Sequence, residues 1–446
     1  MKIENKNYHE EKLKIISEEF KTFVKDGRSV ALKKKSVPHL VPNPKDERFK
    51  KKKLNLSALN KILEINETEK YAVAESGVTF HQLVHETLKY GLIPYTVPEL
   101  KGITIGGAVS GCSIESMSYK LGGFHDSCIE YELISGRGEI ITCSVDKETD
   151  VFNQIHGSYG TLGILTKLKF KLLDAKPFVK MNYEKYKNIE DYWSALKKAC
   201  SDGNYDFIDG IIHGKNEHVI CFGTLVETAP FLSKYDWLSI FYKSTNEKTE
   251  DYLAIADYFF RYDTECHWLT KSFPVLENKI FRFFFGKLFL GSTNLIALSA
   301  KLRHVLKLKK RPDVVVDVFI PSNKFLDFYR WYEKDFDFYP LWIVPYRMKS
   351  KYPWISDNFH KKVNDDLLID CAIYGKKNNT QIDFSALLED KVYEFNGVKT
   401  LISRNHYSES RFWEIYSKEN FSNAKRKTDP DAYFPDLYTK FVKNQK

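Results

Sequence analysis

The part of the chain that decides its fold reads PELKGITIGGAVSGCSIES, at residues 98–116. It spaces Gly106, Gly107 and Gly111 as GGxxxG. Glycine lets a backbone approach a ligand closely, and a turn of exposed N–H groups stabilises a phosphate. The spacing differs from the GxGxxG of Rossmann domains, and the stretch lacks the GK[ST] of a Walker A loop. The sequence therefore predicts a loop that runs into a short helix and faces a diphosphate.

Glycine is concentrated around this loop, because residues 102–163 hold 11 of the 22 glycines. Two further motifs lie there: KLGGFHD at 120–126, and DVF at 150–152 followed by GSYGTLGILT at 157–166. Thr79 is predicted to begin a helix through Lys89 that ends at Gly91. Runs of β-branched residues predict strands at 28–32, 71–75, 128–135, 140–143 and 163–172. We interpret this region as a ligand-binding α+β domain that ends near Pro177.

The order of these motifs resembles the FAD-binding domain of the PCMH type, also called the vanillyl-alcohol-oxidase type. Within that superfamily the chain looks most like the Δ24-sterol reductase (diminuto/seladin) family. The resemblance continues over nearly the whole chain, at SIESMSYK (113–120), EYEL (130–133), IFRFFFG (280–286), DVFIP (317–321), YPLWIVP (339–345), AIYG (372–375), FWE (412–414) and DAYFP (431–435). It implies an α+β fold in which a PCMH-type, two-subdomain FAD-binding domain is joined to an α+β substrate (cap) domain.

The composition of the sequence changes after Pro177, where glycine becomes rarer and aromatic residues become more frequent. We predict an FAD-binding domain over 1–176, a substrate or cap domain over 177–400, and a C-terminal segment, 401–446, that returns to the FAD domain. In the second domain we predict helices at 189–200, 248–260 and 323–334, and strands at 207–213, 218–224, 313–320, 342–345 and 367–373. Residues 279–300 are strongly apolar, which suits a core, a wall of a substrate cavity or an interfacial membrane contact.

The resemblance implies FAD as the cofactor, with residues 103–115 as its main contact segment and 157–164 beside the isoalloxazine. The residues that we predict to contact FAD are Ile103, Thr104, Ile105, Gly106, Gly107, Ala108, Ser110, Gly111, Cys112, Ile114, Glu115, Ser116, Gly122, Gly157, Gly160, Thr161, Gly163 and Ile164. Many relatives have a glycine-rich first phosphate loop, but that place reads LKKKSVPH at 32–39. Lysines can replace glycine amides as diphosphate partners there, or the loop packs elsewhere. His39 is the candidate for the covalent flavin link of some relatives.

Reduction of an isolated double bond needs a hydride from the flavin and a proton from a nearby donor. Our prediction for that donor is Tyr407, with Arg404 as its electrostatic partner and His406 beside it. A tyrosine can serve if a neighbouring cation lowers its pKa. Further candidates in the second half of the chain are Asn405, Tyr346, Arg347 and Tyr374. We expect no metal, since His81 and His85 share a helix face without a third ligand.

Charge limits the partners. The 446 residues carry 68 Lys and Arg against 59 Asp and Glu, a net charge of +9, and residues 1–53 alone hold 16 basic against 8 acidic side chains. A basic cluster suits nucleic acid, anionic lipid or a phosphorylated cofactor. No nucleic-acid fold signature accompanies it, so we expect no nucleic acid partner. Peripheral membrane contact through the basic N-terminus or residues 279–300 is a further expectation.

The sequence also favours a cytoplasmic location. The first 30 residues hold no apolar core of a signal peptide. The longest run without Asp, Glu, Lys or Arg, residues 151–166, contains three glycines and is too short to span a membrane. The seven cysteines are widely spaced without a CxxC motif, which is typical of a reduced compartment.

We therefore predict an FAD-dependent oxidoreductase that reduces a carbon–carbon double bond of a sterol or isoprenoid side chain, an apolar substrate, with NADPH as electron donor. The nicotinamide donor is implied by the resemblance alone. One alternative is an FAD oxidase or dehydrogenase that acts on a hydroxyl of a sugar, lactone or alcohol. The other is a flavin-free scaffold that binds lipid or nucleic acid through its basic N-terminus.

Overall fold

The computed structural model describes residues 2–25, 30–34, 53–265, 269–272, 274–295 and 313–443. Within these ranges the strands form three sheets. The smallest pairs two short strands in parallel, β1 (Ala31–Lys33) and β2 (Lys53–Asn55). The second sheet draws its strands from residues 62–174 and the third from residues 178–399. The division of the chain at residues 176 and 400 stays a prediction, and His39 lies outside the described residues.

The second sheet is antiparallel, in the order β3-β4-β8-β6-β7, with β5 paired to β8. Strand β8 forms its centre and buries every other residue from Ile164 to Leu172, the period of two that a strand with one covered face requires. Its strands are β3 (Ile62–Asn66), β4 (Tyr71–Glu75), β5 (Leu92–Pro94), β6 (Cys128–Ile134), β7 (Ile140–Ser144) and β8 (Ile164–Asp174).

Short helices connect the strands of this sheet, at Phe80–Thr87, Ile105–Ser110, Ser118–Leu121 and Thr149–Ile155. The predicted start and end of the first are confirmed. The Thr79 hydroxyl accepts a hydrogen bond from the Gln82 amide at 3.2 Å, and a short 3₁₀ turn follows, Leu88–Tyr90, before Gly91 takes a left-handed conformation with φ of 65°. The short helix predicted after the glycine loop is Ile105–Ser110.

The third sheet is antiparallel with eight strands, in the order β12-β9-β11-β10-β14-β15-β13-β16. One face packs against the helices Ile189–Asp202, Phe325–Trp331 and Phe384–Glu394. The other face shares one continuous hydrophobic core with the second sheet. Its strands are β9 (Phe178–Tyr186), β10 (Phe207–Gly214), β11 (Glu217–Val226), β12 (Glu250–Ala254), β13 (Val314–Pro321), β14 (Leu341–Arg347), β15 (Leu367–Lys376) and β16 (Val398–Lys399).

The mixed architecture confirms the predicted α+β class. The remaining α-helices are Lys2–Lys25, Phe241–Glu247, Ile255–Phe259, Lys279–Phe289, Asp357–Val363, Glu409–Ile415, Lys418–Thr428 and Leu437–Phe441. Among the helices of the described ranges, none has both the length and the apolar character that crossing a bilayer demands.

The predicted helix at 248–260 is wrong. Residues Glu250–Ala254 form strand β12, which pairs with β9 at the edge of the third sheet, and the helix begins only at Ile255. The alternation of buried Asp251 and Leu253 with less buried neighbours fits a strand. Asp251 is buried because Ser233, Tyr235 and Lys248 all donate hydrogen bonds to it. Ser233 and Tyr235 are distant from Asp251 in sequence, so a prediction from local periodicity could not include them and misassigned the segment.

The N-terminal helix, Lys2–Lys25, is fixed to the second sheet by buried charges. His9 lies between two carboxylates, with Nδ1 at 2.8 Å from Glu75 and Nε2 at 2.8 Å from Glu132. Lys12 also donates to Glu75, at 2.8 Å. Burial by itself lowers the pKa of His9, but its hydrogen bonds with Glu132 and Glu75 outweigh burial and raise it. The protonated imidazole of His9 therefore attaches the N-terminal helix to the second sheet.

Raising the pH should loosen this attachment. Because the folded protein raises the pKa of His9 above its ordinary value of 6.5, the stabilisation is complete below pH 6.5 and is lost as the pH rises through the raised value. We expect His9→Gln to cost about 1–2 kcal/mol at pH 6 and less at pH 9. Thermal unfolding at both pH values measures this. His85→Gln, at an exposed histidine, is the control, and an equal cost of His9→Gln at both pH values would contradict the prediction.

Candidate flavin site

A cleft of about 730 Å³, part of it open to solvent, lies between the β1–β2 pair and the second sheet. Its walls come from four places: the two short strands, the turn after β4, the helix Ile105–Ser110, and the loop that leads into β8. The lining residues are Leu32, Lys34, Leu56, Ser57, Ser76, Gly77, Gly106, Ser110, Ile155, Ser158, Tyr159, Gly160, Leu162, Gly163 and Leu165.

Two glycines in the walls let backbone segments meet without side chains between them. The Gly106 amide donates to the Ser76 carbonyl at 2.9 Å, and a Cβ on Gly106 would lie only 2.7 Å from Cβ of Ser76. The Gly77 amide donates to the Leu59 carbonyl at 2.8 Å, and a Cβ there would lie 2.2 Å from that oxygen. Both positions therefore require glycine for packing, and the packing places their backbones at the cleft surface.

Lys34, which directly follows strand β1, faces the helix Ile105–Ser110, which we name the glycine helix. Lys34 Nζ lies 3.3 Å from the Thr104 hydroxyl oxygen, and that oxygen also accepts a hydrogen bond from the Gly107 amide at 3.3 Å. A Cβ on Gly107 would lie 3.2 Å from Lys34 Nζ. The surrounding protein atoms desolvate the ammonium group and lower the pKa of Lys34. An amide, a hydroxyl and a cation thus converge beside the cleft, and among the described residues the hydrogen-bond partner of this cation is a hydroxyl.

The loop before β8 contains several residues with positive φ. Gly157, Gly160 and Gly163 have φ values of 67°, 71° and 147°, and Tyr159 between them is also left-handed, at 49°. The Tyr159 amide donates to the Ser110 carbonyl at 3.0 Å, which ties this loop to the glycine helix.

The C-terminal helices hold the same loop from outside. Lys440 Nζ donates to the Tyr159 carbonyl, and Lys425 Nζ donates to the Thr161 carbonyl at 2.6 Å. Lys427 adds ion pairs with Glu148 at 2.8 Å and Asp150 at 2.9 Å. The C-terminal helices therefore hold the far wall of the cleft in place, through lysine contacts that local sequence patterns do not predict.

The cleft suits a flavin dinucleotide on its own chemistry. Among the described residues that line it, Lys34 is the only charged one, so an anion is favoured and no carboxylate repels it. The hydroxyls of Ser57 and Ser76 offer further donors, whereas those of Ser110 and Ser158 already donate to the carbonyls of Gly106 and Ile155. The leucine, isoleucine and tyrosine side chains provide an apolar wall for a planar ring. The residues present thus fit both the diphosphate and the ring system of FAD.

The structure places the predicted FAD residues in two groups. Gly106, Ser110, Gly160 and Gly163 line the cleft. The others lie in the segments around it, and their contacts to FAD stay predictions. Glu115 is paired with Arg261 at 2.9 Å, in a buried network with Asp209. Leu32, Leu56 and Ser57 also line the cleft and were not predicted, because the sequence around the β1–β2 pair carries no glycine signal. Lys34 is one of the three lysines that the sequence offered as diphosphate partners.

The predicted catalytic residues lie outside the described lining of the cleft. Arg404 pairs with Asp313 at 2.6 Å, and its role as the electrostatic partner of Tyr407 stays a prediction. Lys399 lies 5.5 Å from the centre of the Tyr407 ring, and the His406 amide donates to Glu389 at 3.0 Å. Burial, followed by the charge of Glu389, raises the pKa of Tyr407 well above its ordinary value. The catalytic role of these three residues stays a prediction.

Residues on and next to the strands of the third sheet form a polar cluster beside Tyr159, which lines the cleft. The Tyr159 hydroxyl accepts a hydrogen bond from the Leu401 amide at 3.3 Å. The neighbouring Thr400 amide donates to the Asp317 carbonyl at 2.9 Å, and the Tyr374 hydroxyl donates to the Asp317 carboxylate. Burial raises the pKa of Tyr374 well above its ordinary value, so its phenol keeps its proton at neutral pH. A phenol and a carboxylate thus stand one residue away from the contact with Tyr159.

Exchanging Lys34 tests the cleft directly. We expect Lys34→Gln to weaken FAD binding by the apoprotein roughly 10- to 100-fold, the value of a hydrogen bond to a charged group. Fluorescence titration with FAD at low and high salt measures the dissociation constant. Lys33→Gln is the matched control, because Lys33 is as exposed as Lys34 but does not line the cleft. Equal affinities of the two variants would remove Lys34 from the site.

Comparisons with known proteins agree with this geometry. A family model described as "FAD binding domain" matches residues 45–144. The chain is similar to the Delta(24)-sterol reductase of Homo sapiens, 25% identical over 452 residues that cover 98% of this chain and 86% of the relative. The Delta(24)-sterol reductase of Arabidopsis thaliana is 22% identical, over 95% and 82%. Cytokinin dehydrogenase 9 of Oryza sativa subsp. japonica is 28% identical over 143 residues, 32% of this chain and 27% of the relative.

These matches confirm the predicted PCMH-type FAD-binding domain, the FAD cofactor and the resemblance to Δ24-sterol reductases. The full-length relatives cover the third sheet as well as the FAD domain.

Proposed function

We propose that this FAD-dependent oxidoreductase reduces a carbon–carbon double bond in a sterol or isoprenoid side chain, with NADPH as the electron donor. One observation carries the proposal: the similarity to Delta(24)-sterol reductases extends over 98% of the chain, including the third sheet that packs over the FAD domain. The domain that a substrate would contact is thus related as well as the domain that holds the cofactor.

Bound FAD would supply hydride transfer between NADPH and a carbon of the substrate. Lys34 would hold the diphosphate by its charge, because the described lining of the cleft places no carboxylate beside it. The Gly106 and Gly107 amides already donate to Ser76 and Thr104. Tyr159, Leu162 and Leu165 supply apolar surface on one wall of the cleft, which limits the access of water there. A proton must still be added to the second carbon of the double bond.

Two phenols compete as the source of that proton. Tyr407 is the donor proposed from the sequence, and it is buried beside Lys399. Tyr374, a further candidate from the sequence, is the alternative that the geometry favours, because its hydroxyl donates to Asp317 beside the cleft wall. Tyr407→Phe and Tyr374→Phe separate them. The variant that loses alkene reduction while NADPH still reduces its flavin identifies the donor.

An absorbance spectrum of the purified protein tests the proposal. We expect flavin bands that bleach with NADPH under anaerobic conditions, return slowly in air and return quickly when a sterol with a side-chain double bond is added. Bands that ignore NADPH but bleach with a sugar, lactone or alcohol would replace the proposal by the oxidase alternative. A protein that shows no flavin bands even after FAD is added would support the scaffold alternative. The cytoplasmic location stays a prediction.

A further inference from the structure

The helix Lys279–Phe289, which we name the aromatic helix, turns its large apolar side chains to the outside. Ile280, Phe284 and Leu288 are each 70% exposed and Phe283 is 66% exposed. Residues spaced by four lie on one face of a helix, and Phe283 lies beside that stripe. The sequence left open a core, a cavity wall or a membrane contact here, and the exposure of these side chains argues against the core. The phenyl rings face away from the core, while Arg282 is only 1% exposed.

The inner face of the helix explains why it cannot turn over. Arg282 donates to the carbonyl oxygens of Leu276 at 3.3 Å and Asp236 at 3.1 Å. Gly286 packs so closely on Trp237 that a Cβ would lie 2.8 Å from Cβ of Trp237. The Asn278 side chain accepts from the Ile280 amide at 2.9 Å and fixes the start of the helix. Rotation would break these contacts and leave a buried guanidinium unpaired, so the outward orientation is built in.

Charge at the edge of the stripe indicates what covers it. Lys279 and Lys287 are exposed on the same helix, and Lys287 Nζ lies 5.7 Å from the Trp237 ring. The nearby carboxylate Glu277 is already paired, with Lys243 at 2.6 Å. An apolar stripe bordered by exposed ammonium groups complements acyl chains below anionic headgroups. An exposed apolar patch of this kind marks an interaction site.

We propose that the aromatic helix docks the protein on the surface of a lipid bilayer with anionic headgroups. Ile280, Phe283, Phe284 and Leu288 enter the acyl region, and Lys279 and Lys287 contact the headgroups. The helix lies in the plane of the surface, because its 11 residues are too few to span a bilayer.

The docked surface leads toward the flavin site. The segment after the aromatic helix reaches Leu295, which packs in one cluster with Leu100 and Ile103. Ser292 donates to Asp263 at 2.6 Å, and the Lys101 amide donates to the same carboxylate oxygen at 2.9 Å. Leu100, Lys101 and Ile103 belong to the loop that leads into the glycine helix. The inference that a membrane-dissolved substrate enters from this side rests on the proposed function, whereas the docking itself does not.

Vesicle co-sedimentation of the holoprotein tests the docking without any measurement of activity. We expect binding to phosphatidylcholine vesicles that contain phosphatidylserine, and weaker binding to phosphatidylcholine alone. The double variant Phe283→Ser, Phe284→Ser should lose at least about tenfold in affinity with its flavin content unchanged. Its matched control is Ile140→Ser, Ile382→Ser, which changes two exposed isoleucines on other elements.

Lys279→Glu with Lys287→Glu should weaken binding to the anionic vesicles alone. Wild-type protein that ignores both kinds of vesicle, or a Phe283→Ser, Phe284→Ser variant that binds as tightly as its control, would overturn the proposal. A wild-type dimer in solution that the phenylalanine changes convert to a monomer would overturn it in favour of a second copy of the chain. A protein that docks but reduces no double bond would reject the proposed function and leave the docking intact.

Discussion

Arg261→Met is expected to lower the free energy of unfolding by about 3–5 kcal/mol, the cost of removing one partner from a buried ion pair. The Arg261 side chain is fully buried. Its Nη2 atom lies 2.9 Å from the Glu115 carboxylate and 3.1 Å from the Asp209 carboxylate. Its guanidinium also lies 4.1 Å from the centre of the Tyr258 ring. No other cation forms an ion pair with either carboxylate among the described residues.

The change leaves Glu115 and Asp209 buried without a counter-charge. Asp209 still accepts hydrogen bonds from Trp342 at 2.9 Å and Tyr262 at 3.0 Å, but neutral donors compensate a buried charge only in part. The two carboxylates come from different regions, since Glu115 follows the glycine helix and Asp209 lies in strand β10. The loss therefore acts where the FAD domain meets the third sheet.

Denaturant unfolding of wild-type and variant protein measures the effect. Arg330→Met is the matched control, because Arg330 pairs with Glu190 and Asp327 on the surface and should cost under about 1 kcal/mol. The deficit of Arg261→Met should shrink at low pH, because burial raises the pKa of Glu115 to about 7 and the abandoned Glu115 carboxylate can take up a proton there. Equal costs for the two variants would show that the buried network does not stabilise the fold.

Gly107→Leu is expected to abolish retention of FAD while the protein still folds. A side chain at this position points at Lys34 Nζ, 3.2 Å from the Cβ position, and at the Thr104 hydroxyl, 3.1 Å away. It would fill the space beside the only charged residue in the described lining. The backbone tolerates the change, because Gly107 lies inside a helix and its φ is not positive. The loss is therefore one of binding, and FAD affinity should fall by at least about tenfold.

The flavin-to-protein absorbance ratio after purification measures retention, and circular dichroism checks the fold. Gly107→Ala should lose less, since a methyl group needs only a small shift of the lysine. Gly214→Leu is the control of equal size, because no atom lies within 4 Å of a Cβ at that glycine. Normal flavin content in Gly107→Leu would displace the diphosphate site from the glycine helix.

The site was predictable wherever the local backbone carries the chemistry. Gly106, Gly160 and Gly163 were found from sequence because glycine at fixed spacing reports a backbone requirement. Lys34 could be weighed only as one of three consecutive lysines, since nothing local distinguishes the one that faces the Thr104 hydroxyl. The ion pair of Arg404 with Asp313 could not be predicted, because proximity in sequence does not decide which ions meet. The phenol of Tyr374 beside Asp317 depends on the register of two paired strands.

Neighbouring residues were enough to predict a ligand-binding α+β region and most strands of both large sheets, because glycine spacing and a period of two are local properties. FAD was implied by the family resemblance of the motif order. Contacts between distant segments determine that residues 250–254 form an edge strand, that Arg261 neutralises two distant carboxylates, and that the rings of the aromatic helix face outward. The helical repeat of Ile280, Phe284 and Leu288 is the same whether that face is buried or exposed. Its direction is fixed by Arg282 and by the fit of Gly286 against Trp237, contacts that exist only once distant segments have packed together.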